Sequence, residues 1–70
     1  MDAIELTQTR HLAVGDVLIS ASGASYEVTR LQRVGRGIRV HHVTPEGRAG
    51  RFTAAPEAIS RVRRALAAAG

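Results

Sequence analysis

The sequence contains no cysteine, no tryptophan and no lysine, and its phenyl-type rings are limited to Tyr26 and Phe52. Each absence excludes something. Without cysteine, neither a disulfide framework nor a thiolate zinc centre can staple the chain. No apolar run approaches the roughly 18 residues that a membrane-spanning helix needs. With two rings, both reading as core, aromatic support for stacked bases is thin. Paired carboxylates are missing too, since Asp16 and Glu27 fall in different elements and read as solvated. Ser20, Ser22, Ser25 and Ser60 lie in no G-x-S-x-G elbow. Gly35-Arg36-Gly37 lacks the long glycine-rich spacing and following helix of a phosphate cradle. The histidines are His11, His41 and His42; the adjacent pair points to opposite sides of a strand and cannot easily share an ion. No enzyme, metal site or cofactor is expected.

What is present is arginine. All ten basic residues are Arg, and they are unevenly placed. Residues 1–29 hold Arg10 against Asp2, Glu5, Asp16 and Glu27, a net −3, whereas residues 30–70 hold nine Arg against Glu46 and Glu57, a net +7. Such a split points to a polyanionic partner for the second half. The twelve alanines and the absence of lysine also fit a GC-rich genome, which explains the choice of Arg but not its position. Seventy residues make one small domain with a small core; its expected extent is 1–66, with 67–70 a frayed Ala-rich tail. The segment Met1-Asp2-Ala3-Ile4-Glu5 has no signal-peptide character, so a cytoplasmic location is expected.

The most informative stretch is 37–53. Thr44-Pro45-Glu46-Gly47 has Pro where a turn presets φ and Gly where the left-handed conformation follows. A three-residue loop with Gly47 as a bulge pairs Thr44 with Arg48. Counting outward sets His42 opposite Gly50, His41 opposite Arg51, Val40 opposite Phe52 and Arg39 opposite Thr53. Alternation then places Ile38, Val40 and Phe52 on a core face, and Arg39, His41 and Arg51 on the other.

Around this hairpin, residues 3–10 read as a strand, 12–16 as a turn whose Leu12 and Val14 plug the fold, and 17–20 as a short strand. Ser22-Gly23 reverses the chain. Residues 24–34 form the longest strand, with a β-bulge near Thr29–Arg30 that returns Leu31 to the core. Between Val34 and Ile38 a two-residue loop pairs Val34 with Gly37, and a three-residue loop pairs Val34 with Ile38; both registers stay open. Residues 56–58 read as a turn and 60–65 as a last strand. A helix over 57–69 remains the alternative, because Pro56-Glu57 suits a first helical turn and Ile59, Val62 and Leu66 have helical spacing.

Gly15-Asp16-Val17-Leu18-Ile19, then Gly23, then Tyr26-Glu27-Val28 resembles the opening hairpin of SH3-like small barrels, including the KOW type of transcription and ribosomal proteins. Ala24-Ser25 stand where the KOW pattern carries a second glycine. The resemblance spans about residues 12–65 and implies an all-β, single five-stranded SH3-like barrel. It implies either nucleic-acid binding or, as other such barrels do, peptide binding or assembly. Size and composition are also similar to those of small phage proteins from GC-rich hosts.

The basic set is Arg30, Arg33, Arg36, Arg39, Arg48, Arg51, Arg61, Arg63 and Arg64. Like charges side by side on a sheet oppose folding unless an anion offsets them, and guanidinium groups clamp phosphates. The expected nucleic-acid contacts are Arg33, Arg36, Arg39, His41, Arg51, Arg61, Arg63 and Arg64. The alternative partners are an acidic protein surface or a second copy of the chain; a membrane is not expected.

Overall fold

The computed structural model describes residues 4–63, and over them the protein is all-β. Its elements are β1 (Ile4–Gln8), a 3₁₀ turn (Thr9–His11), β2 (Val17–Ile19), β3 (Ser25–Val34), β4 (Gly37–Val43), β5 (Ala49–Ala54) and β6 (Ile59–Arg63). They form one antiparallel sheet in the order β1–β6–β2–β3–β4–β5. This corrects the expectation of a closed five-stranded barrel. The last strand does not simply cover the edge of the first; it inserts between β1 and β2 and pairs with both. β1 and β5 are left as edges that do not pair with each other.

The register over 34–54 follows from its two turns. Gly47 has φ 89°, its N–H donates to the Thr44 carbonyl at 2.8 Å, and Thr44 N–H donates to the Arg48 carbonyl at 2.9 Å. The Thr44 hydroxyl also accepts from Arg48 N–H at 3.0 Å. From that turn the pairs run Val43–Ala49, His42–Gly50, His41–Arg51, Val40–Phe52 and Arg39–Thr53, as the turn chemistry requires. At the other end of β4, Val34 pairs with Gly37 and Leu31 with Val40, so the two-residue loop is the one adopted. Gly35 has φ 58° at its first central position, where a type II′ hairpin turn calls for glycine. The register shifts between Val28 and Arg30, a bulge at Thr29.

The core is small and evenly supplied. Each interior strand gives one fully or nearly buried side chain: Val62 from β6, Leu18 from β2, Val28 from β3 and Val40 from β4. Leu12 joins them from the segment before β2, and Tyr26, Leu31 and Ile38 pack around the cluster. Val14, expected beside Leu12, is exposed. Asp16 is buried rather than solvated: its carboxylate accepts from Ala13 N–H at 2.9 Å and closes the turn ahead of β2.

Residues 59–63 are a strand, not a helix. Val62 faces the core between Glu5 and Leu18. The preceding turn, closed by Ala58 N–H on the Ala55 carbonyl at 3.0 Å, is tied to the end of β1 by Thr9 N–H on the Ala58 carbonyl at 2.9 Å. The expected boundary at 66/67, Leu66 and the rest of the Ala-rich tail lie outside the described residues. No helix among the described residues is long and apolar enough to cross a membrane.

Candidate nucleic-acid interface

Residues directly opposed across antiparallel strands project from the same face. The bulge at Thr29 therefore matters for function, because it sets Arg30 opposite His41 instead of Val40. One row across β3, β4 and β5 reads Arg30, His41, Arg51, and the next reads Gln32, Arg39, Thr53. With opposed Cα atoms about 5 Å apart and alternate residues about 7 Å apart, four basic side chains share a patch roughly 10 Å by 7 Å at backbone level.

His41 is the centre of this patch. Its Nε2 lies 3.1 Å from Gln32 Oε1, and a protonated Nε2 donates to that amide oxygen. Partial burial, and after it the charges of Arg30, Arg51, Arg39 and His42, holds the imidazole below its ordinary pKa. No carboxylate is among those influences. Arg30, Arg39 and Arg51 make no ion pair with a carboxylate among the described residues. A shallow hollow beside the row is lined by His41, Ala49, Gly50 and Arg51, and the small Ala49 and Gly50 leave it open.

The other predicted contacts are dispersed. Arg33 pairs with Ile38 and lies on the opposite side of the sheet, lining a hollow with Thr9, Leu12 and Leu31. Arg36 is exposed at the tip of the β3–β4 turn. Arg61 and Arg63 share the outer face, opposite Leu6 and Ile4 on β1, but β2 and Glu27 stand between them and the Arg30–His41–Arg51 row. Arg64 lies outside the described residues. Conversely, Arg30 belongs to the cluster although it was not among the expected contacts; the predicted bulge was the signal that aims it there.

The core side of the same strands carries a second arrangement. His42 packs edge-on to Tyr26, with ring centroids 5.0 Å apart at 69°, and lies 5.8 Å from Phe52 at 38°. Gly50 makes this row fit, since a Cβ there would stand 2.7 Å from His42 Cε1. Phe52, expected in the core, is 37% exposed because, among the described residues, no strand lies beyond β5. Among the described residues, no group of three His, Cys, Asp or Glu side chains is placed to hold a metal ion. No protein-family model, curated protein or solved structure matches the chain.

Proposed function

We propose that the chain is a non-enzymatic binding protein that holds a nucleic-acid backbone against the outer face of β3, β4 and β5. The observation that carries this reading is the row Arg30–His41–Arg51 with Arg39 beside it, four basic side chains gathered without a paired carboxylate among the described residues. Such clustering on one sheet face costs folding free energy, and an anion bound there offsets that cost. Arginine matches phosphate oxygens bidentately, so affinity is led by phosphates, falls with salt and depends little on sequence.

The test is fluorescence anisotropy with labelled oligonucleotides at about 20 and 200 mM salt. The double variant Arg39→Glu/Arg51→Glu is expected to lose at least tenfold in affinity, and Arg33→Gln to change it less than twofold. No binding at the lower salt refutes the reading.

A second reading, assembly between copies of the chain, draws on a different observation. Ile4, Leu6 and Ile59 are 51%, 73% and 57% exposed and share one face at the unpaired β1 edge. Free sheet edges with apolar side chains are sites of strand pairing, and the mass of the protein in solution tests it.

A further inference from the structure

Phe52 is the aromatic member of the exposed apolar side chains, and it stands on an edge strand next in sequence to Arg51. Consecutive residues of a strand project to opposite faces. Arg51 therefore reaches out with His41 and Arg39, while Phe52 turns to the core side, and only the thickness of β5 separates them. Phe52 is backed by His42, which Tyr26 braces in turn. It also lines a hollow of about 430 Å³ with Leu18, Tyr26 and Ser60, a volume within the usual range for ligand sites.

We infer that the nucleic acid bound is single-stranded, and that one of its bases folds over the free edge of β5 and stacks on Phe52 in this hollow. The inference rests on the phosphate-binding reading of the outer face and adds the class of nucleic acid to it. Arg39 and Arg51 stand on the outer side of the edge, with Phe52 and the hollow directly across it. The partner that fits has an anionic backbone bearing flat, mostly apolar rings. A duplex keeps its bases paired and stacked inside, so it has none to swing round an edge. A single strand presents them freely, and an aromatic platform accepts any base because each has a π-face. An apolar peptide fits the hollow but gives no role to the cations across the edge.

The experiment compares three fluorescein-labelled probes at low salt: a mixed-sequence single-stranded 12-mer, an abasic 12-mer with the same phosphates, and the 12-mer annealed into a duplex. Wild type is expected to bind the single strand about tenfold more tightly than the abasic chain, the scale of one base–aromatic stack. Phe52→Leu, which keeps an apolar side chain at the edge, is expected to bring the two within twofold and leave abasic binding unchanged. Because the chain has no tryptophan, Phe52→Trp supplies a reporter whose emission the single strand quenches and the abasic chain does not.

Equal binding of the single strand and the abasic chain by wild type overturns the inference while leaving phosphate binding intact. Tighter binding of the duplex overturns it likewise. Loss of all binding by wild type removes the underlying reading. Emission of the Phe52→Trp variant that shifts with protein concentration alone assigns the hollow to a second copy of the chain and overturns the inference too.

Discussion

His41 sits among fixed positive charges, and that makes it a reporter of what binds there. Its protonated form is opposed first by partial burial and then by Arg30, Arg51 and Arg39. In the free protein the folded pKa is thus below the unfolded value of about 6.5, and the unfolded chain takes up the proton first. Its contribution to stability is complete above about pH 6.5 and is lost as pH falls toward the folded value. A bound phosphate reverses the local field and raises the pKa. Affinity for an oligonucleotide is therefore expected to increase as pH falls through the titration range of His41. His41→Gln, which keeps a hydrogen-bonding side chain beside Gln32, is expected to remove that increase. In NMR titrations the His41 midpoint should rise when oligonucleotide is added; a midpoint that stays put or drops means that no phosphate reaches the row. Much at this scale was legible in advance. Alternation and one turn place Arg39, His41 and Arg51 together. The half-open position of Phe52 was not legible, because residue pattern gives the face a side chain takes and not whether a further strand covers it. The burial of Asp16 is illegible for a related reason: Gly15-Asp16 marks a turn, but the packing depends on β3, whose Val28 N–H donates to the Asp16 backbone carbonyl at 2.8 Å.

At the scale of elements, local chemistry determined the hairpins and long-range pairing determined the rest. Turns carrying Gly35 and Gly47 at positive φ fix both β4 registers within a few residues of sequence. The place of β6 is another matter, since its partners lie some fifty residues away. Helical spacing of Ile59 and Val62 competes with strand pairing there, and pairing wins because β1 offers unsatisfied backbone along 59–63 and β2 offers it to Val62 and Arg63. The same insertion leaves β1 as an edge with Leu6 73% exposed on its outer face. If that edge joins copies of the chain, the light-scattering mass of wild type rises with concentration, and Leu6→Lys restores the monomer by the charge that natural edges use. The substitution itself is expected to alter stability by no more than about 0.5 kcal/mol, because Leu6 is so exposed. Wild type that remains monomeric at every concentration removes assembly as a reading.

On the scale of the whole molecule, the acidic first half and basic second half of the sequence do not become two halves of the fold. β6 carries Arg61 and Arg63 into the sheet between β1 and β2, with Glu27 beyond β2 on the same face. Net charge alone thus overstates the binding surface, and salt dependence separates the two quantities. Each neutralised phosphate of a single strand contributes about −0.7 to the slope of log K against log[salt]. If all nine Arg of residues 30–70 engaged the strand, the slope would approach about −6. The outer row with Arg39 supplies three guanidinium groups, which gives about −2 above the titration of His41 and nearly −3 below it. A Phe52 stack adds affinity without steepening the slope, since it neutralises no phosphate. The expected result is a slope near −2 at pH 8 that steepens by about 0.7 on acidification and loses that increment in His41→Gln. A slope near −6 at either pH would mean that charge spread over the whole surface holds the strand, and that the ordered row on β3, β4 and β5 has no special part in binding it.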